Sequence, residues 1–174
     1  TYAFENYKNF NTSFFLYYLY QSLVVVNSIE EFRYRIEGEK VFVYDEIGAS
    51  ATINRPDGTF GFSYINFHED FKTFEQSALA EIEKVRADNR LIPGSTSANV
   101  IHYSSVPWIK FTSLSHARKF DGKDSVPKIT FGKVFQDHDR YKMPVSVHVH
   151  HALMDGFHLG RYFEQFEQTL GYKE

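Results

Sequence analysis

The most constraining feature of this chain is a change of hydrophobic period within residues 143–170. In MPVSVHVHH (143–151) the apolar residues alternate, so Val145, Val147, Val149 and His151 share one strand face and Ser146, His148 and His150 the other. In GFHLGRYFEQFEQTL (156–170) the apolar residues Leu159, Tyr162, Phe163, Phe166 and Leu170 recur at helical spacing. A strand therefore feeds an amphipathic helix through the short turn ALMDG. That junction also holds four of the eight histidines, at positions 148, 150, 151 and 158.

Both periods recur upstream. SFFLYYLYQSLVVV (13–26) reads as a helix buried on most of its circumference, with Thr12 or Ser13 as N-cap. RYRIEGEKVFVYDEIGASATIN (33–54) alternates on both sides of EGEK, a hairpin signal, and NRPDG (54–58) turns the chain into the strand TFGFSYINF (59–67). Phe71, Phe74, Ala78, Ile82 and Val85 share one face of a second helix. LIPGSTSAN (91–99) reads as a loop, and VIHYSSVPWIKFTSL (100–114) as extended chain broken at Pro107. KITFGKVF (128–135) and MPVSVHVHH are two strands joined by the charged turn QDHDRYK. The pattern is α/β, and 174 residues make one domain with a substantial core.

Composition removes several functional classes. Hydrophobic residues at 43% and aromatics at 18% exclude a disordered chain. A net charge of −3 carries no electrostatic footprint for nucleic acid. Without cysteine there is no disulfide, thiolate metal site or cysteine nucleophile, which fits a reducing cytoplasm. The most apolar run is broken by Gln21 and Ser22 and is short for crossing a bilayer, so no membrane is expected.

The histidines allow three readings. His148 and His150 could be a same-face metal pair, but spacing marks no third ligand, and polar surface residues are the ordinary alternative. His158 on the first helical turn has the same ordinary reading. His151, on the valine face, is expected in an apolar environment that keeps its ring neutral, as a general base requires. A core histidine satisfied by a carbonyl is the alternative. Asp155 reads as a helix N-cap.

HHALMDGFH (150–158) resembles the chloramphenicol acetyltransferase signature His-His-Ala-x-x-Asp-Gly-Phe-His. The wider acyltransferase superfamily, dihydrolipoyl acyltransferases included, carries His-x-x-x-Asp-Gly. EEFRYRIEGEKVFVYDEI (30–47), TFGFSYINFHEDFKTF (59–74), YSSVPWIKFTS (103–113) and VPKITFGKV (126–134) resemble family segments in family order. The likeness implies a two-layer α/β sandwich, a mixed sheet flanked by helices, assembled as a homotrimer with active sites at subunit interfaces. It implies a cytoplasmic enzyme that O-acetylates chloramphenicol directly from acetyl-CoA, without a metal.

By that likeness His151 is the general base and Ser104 the hydroxyl that hydrogen-bonds the tetrahedral oxyanion. Asp155 organises the turn as partner of an arginine, Thr130 holds a water near the transition state, and Lys133 lies near the coenzyme A phosphates. The family's arginine belongs to an N-terminal segment upstream of Thr1. The expectation is a single domain over residues 1–174 lacking that segment, or an Asp155 served by another cation, with Arg161 nearest in sequence. Departures fall mostly on the acceptor side. His102 stands for an asparagine and His116 and Arg118 for apolar pocket residues, while Val134 replaces an aromatic that would lie against the adenine of coenzyme A. A different small hydroxyl acceptor, a non-catalytic trimeric binding protein of the same fold, and a metal-dependent hydrolase using His148 and His150 are the rivals.

Overall fold

The computed structural model describes residues 1–88, 98–115 and 124–171. A short helix α1 (Tyr2–Asn6) precedes α2 (Phe14–Ser28), which starts where Ser13 Oγ accepts the Leu16 N–H at 3.2 Å. Leu16, Leu19, Leu23 and Val26 on α2 are all but inaccessible, with Tyr17, Tyr18, Tyr20, Ser22 and Val25 also buried, so this helix runs through the middle of the core. Helix α3 (Phe71–Ala87) is capped by Asp70, whose carboxylate accepts the Thr73 N–H at 2.8 Å, and buries Phe74, Ala78, Ile82 and Val85. Helix α4 (Gly156–Thr169) begins at Asp155 and buries Tyr162 and Phe166.

The EGEK hairpin forms β1 (Tyr34–Glu37) and β2 (Lys40–Val43) around Gly38, whose φ of 63° suits glycine. Its second arm does not run on to residue 54. Asn27 on α2 takes both backbone groups of Ile47, accepting its N–H at 2.8 Å and donating to its carbonyl at 2.9 Å. The pairing with β1 therefore stops and β3 (Gly48–Asn54) joins another sheet. With β4 (Phe60–Ile65), β5 (Val100–Ser105), β6 (Lys128–Phe131) and β9 (Val145–His148) it builds the order β4-β3-β5-β6-β9. β5 is parallel to β3 and β6, while the two outer pairings are antiparallel, so the sheet is mixed.

The strand expected over 128–135 also divides. Lys133 N–H bonds Ile109 O at 2.9 Å, which ends β6, and a ribbon of β7 (Phe135–Asp137) and β8 (Arg140–Lys142) intervenes before β9. No described helix is long and apolar enough to cross a membrane.

Alternation gives the sheet two unlike faces. Ala49, Ala51, Ile53, Ile101, Tyr103, Ile129 and Phe131 point to α2, α3 and α4 in one continuous core, joined at its margin by Val145, Val147 and Val149. This is a two-layer α/β sandwich, and its opposite face carries the polar residues considered below. Arg35 is fully buried and donates to the carbonyls of Phe32, Tyr34, Ala98 and Val100 at 2.6–2.8 Å. Burial pushes its guanidinium down to about 10, while the bonds to Ala98 and Val100 pin β1 to the start of β5.

Candidate active site

The polar face is built by register. Ser104 on β5 lies opposite Thr130 on β6, and Thr130 opposite Ser146 on β9, so three hydroxyls form one row across three strands. The next row holds His102, Lys128 and His148. Thr130 is buried, Ser104 and His102 half-buried. The expected residues Ser104, Thr130 and His102 are thus brought together by strand pairing. Ser146 belongs with them and was not anticipated, although its position two residues before His148 puts it on the same face.

His148 and His150 are each engaged by the protein. His148 Nε2 lies 2.9 Å from Leu114 O and 3.1 Å from Ser146 Oγ, tying β9 to the segment after Pro107. His150 Nδ1 accepts the Ala152 N–H at 3.3 Å. Among the described residues no group of three His, Asp or Glu side chains could hold a metal.

His151 departs from expectation. The strand alternation persists through Val149, but the Leu153 and Met154 N–H groups both return to His150 O, at 2.9 and 3.2 Å. A turn therefore begins at His150, and His151 is exposed in this chain rather than set among valines. Its Nδ1 lies 3.4 Å from Met154 O, within the same turn. With the proton on Nδ1 toward that carbonyl, Nε2 keeps a free lone pair.

Asp155 closes the turn and opens α4. Its carboxylate accepts the Phe157 N–H at 3.0 Å and the His158 backbone N–H, and the Phe157 bond foremost holds the carboxyl below its ordinary value, with His158 adding to it. Arg161 does not serve it. Arg161 Nη1 sits 3.8 Å from Glu31 Oε2, because one helical turn past His158 its side chain meets the segment after α2 instead. The partner of Asp155 is His158, whose Nδ1 is 2.8 Å from Asp155 Oδ1. In the sequence His158 has only the reading of an ordinary polar residue, and nothing marks a role for Glu31. The spacing Asp-x-x-His is that of a capping box with histidine in the place of Glu or Gln, a signal that could have found the first.

Lys133 is exposed beyond the Phe131 end of β6, whereas His151 lies beyond the Lys128 end of the same strand. His116 and Arg118 lie outside the described residues. Val134 lines a cavity of about 1160 Å³ between α1, β8, β9 and α4, walled by Phe4, Phe14, Met143 and Phe163. None of the six expected site residues lines that cavity, so it is distinct from the polar face.

A family profile described as chloramphenicol acetyltransferase matches residues 1–167. The chain belongs to the chloramphenicol acetyltransferase family.

Within that family the chain is 29% identical to chloramphenicol acetyltransferase 3 of Escherichia coli, over 89% of this chain and 74% of the relative. It is 31% identical to the chloramphenicol acetyltransferase of Clostridium perfringens, over 86% of this chain and 70% of that one. A solved chloramphenicol acetyltransferase superposes with a TM-score of 0.89 at 30% identity, covering 97% of this chain and 83% of the other. The division of the sheet into an apolar face under three helices and an opposite polar face is thus carried on a chloramphenicol acetyltransferase fold.

Proposed function

We propose that this chain transfers the acetyl group of acetyl-CoA to a hydroxyl of chloramphenicol, with His151 as general base. The observation that carries the reading is the motif turn itself. It presents His151 in the open, with Nδ1 toward Met154 O and Nε2 available. Family membership across residues 1–167 supplies the reaction class.

In the proposed reaction the acceptor oxygen attacks the thioester carbonyl while His151 Nε2 takes its proton. The carbonyl oxygen becomes a tetrahedral oxyanion, to which Ser104 donates, and Thr130 beside it holds a water. The C–S bond then breaks, the proton passes to the departing thiolate, and coenzyme A leaves as the thiol. Lys133 meets the coenzyme A phosphates as a cation, Asp155 shapes the turn, and His102 faces the acceptor. The reaction is assigned to the cytoplasm, where the acetyl donor is made.

The site is assigned to the interface of a homotrimer. From Ser104 to His151 there are two strand spacings of about 4.8 Å each, then five further residues of chain, which puts the two more than roughly 10 Å apart. Both must lie within about 3 Å of one reacting centre. A second copy supplying His151 to the Ser104 row meets that requirement, and the exposure of His151 in a single chain supports it.

The test is thiol release from acetyl-CoA with and without chloramphenicol, for the native chain and His151→Ala, with solution mass measured alongside. Acceptor-dependent release that the substitution abolishes, from a particle of three chains, is the expected result. Release that survives His151→Ala removes that residue from the mechanism. Tight binding without release favours a non-catalytic protein, and release only with another alcohol changes the acceptor.

A further inference from the structure

The peptide group between Met154 and Asp155 is held from both sides by imidazoles. Its carbonyl faces His151 Nδ1 at 3.4 Å, and its N–H faces His158 Nδ1 at 3.1 Å. Beyond, His158 Nε2 lies 3.3 Å from Glu31 Oε1, and Arg161 Nη1 lies 3.8 Å from Glu31 Oε2. Glu31 belongs to the turn following α2, far from this segment in sequence. His158 and Glu31 are mostly shielded, with side chains 21% and 23% exposed, so these contacts are not loose surface encounters.

We propose that His158, oriented by Glu31, is a positioning residue that sets the tautomer and aim of His151 through the Met154–Asp155 peptide. This rests on His151 being the base. A base must present Nε2 unprotonated, which requires its proton on Nδ1 and an acceptor fixed opposite it. Met154 O is that acceptor, and it can be no steadier than the peptide plane to which it belongs.

His158 steadies that plane directly as a neutral ring, and through the Asp155 side chain when protonated. As a neutral ring it carries its proton on Nε2 toward Glu31 and accepts the Asp155 N–H at Nδ1. As an imidazolium it keeps its Nε2 contact with Glu31 and turns the Nδ1 proton toward the Asp155 carboxylate, whose Oδ1 lies 2.8 Å away. Nδ1 serves one of these partners at a time, and both belong to Asp155. Glu31 Oε1 faces Nε2 at 3.3 Å, so the carboxylate orients the ring as a second-layer acid orients a functional histidine. Arg161 neutralises Glu31 from its other oxygen.

The experiment compares His158→Phe, Glu31→Gln and Glu31→Leu in the full chain, by steady-state kinetics and by ¹⁵N NMR of the His151 ring. For His158→Phe and Glu31→Leu, kcat should fall about tenfold or more with both KM values within about twofold, since orientation rather than ground-state binding is lost. His151 should shift from the Nδ1–H form to a mixture of tautomers. Glu31→Gln keeps an acceptor oxygen and should recover most of kcat. An unchanged His151 tautomer in His158→Phe overturns the proposal, even if kcat falls, because the loss would then be structural. His151→Ala tests the underlying assignment separately. Activity surviving there removes the base while leaving the tautomer result to decide whether the peptide couples the two rings.

Discussion

The hydroxyl of Tyr162 lies 2.8 Å from Ser22 Oγ in the buried core, and Tyr103 OH reaches the same oxygen at 2.9 Å. One serine of α2 thus joins α4, which follows the motif turn, to β5, which carries Ser104. A hydroxyl has one proton and two lone pairs, so a single side chain can satisfy both phenols. Ser22→Ala should leave those phenols short of partners and cost about 1–3 kcal/mol of stability by urea unfolding. Adding Tyr162→Phe should recover part of that loss, because the orphaned group is removed.

The same core makes the fold sensitive to alkali. Burial pushes the Tyr18 phenol up to about 12, against an opposing bond to Ser105, and burial raises Tyr103 and Tyr162 as well. For an acid whose folded value lies above its unfolded value of 10.0, the stabilisation is complete below pH 10 and is lost as pH rises through about 12. Tyr18 alone accounts for about 2–3 kcal/mol. Urea midpoints should therefore hold to about pH 9.5 and fall steeply above pH 10, with a shallower fall in Tyr18→Phe. An equal slope in that variant would refute the assignment.

Ser104 and Thr130 should separate in their kinetic effects. Ser104→Ala should lower kcat by on the order of a hundredfold with little change in KM for chloramphenicol, as expected for a donor that matters chiefly to the transition state. Thr130→Val keeps the shape of a buried strand residue and should cost less. Thermal unfolding would establish that both variants remain folded.

Two glycines are predicted to resist alanine because backbone, or at Gly132 also a packed ring, lies where a Cβ would go. At Gly48 the added carbon would meet Ile65 O at 2.7 Å across the β3–β4 pair. At Gly132 it would meet the Phe111 ring at 2.8 Å and Ile109 O at 3.0 Å. Either substitution should cost about 1–3 kcal/mol as overpacking. Gly132→Ala should also disturb the Ile109 carbonyl that holds the Lys133 N–H, and so raise KM for acetyl-CoA more than KM for the acceptor.

Local chemistry made much of the architecture readable before any coordinates. Ser13 and Asp155 cap the helices expected after them, and the strand face carrying Val145, Val147 and Val149 is the one that meets the core. The motif 150–158 carries the family. These follow from backbone sterics and side-chain period, which act over a few residues and leave their record in consecutive letters. The ends of strands were less legible. Asn27 stops the hairpin by binding Ile47, and Ile109 stops β6 by binding Lys133, both through groups distant in the chain.

Apart from the Asp155–His158 capping spacing, the electrostatic partners could not be read without the folded chain. Arg161 is six residues from Asp155 and yet pairs with Glu31, while His158 bridges the two carboxylates. His151 is exposed because the turn opens one residue before the alternation would have buried it. Charge pairing depends on which surfaces the topology brings within a few ångströms, and contacts spanning more than a hundred residues leave no periodic trace. Period and capping settled which residues line each face; packing alone chose the neighbours that aim them.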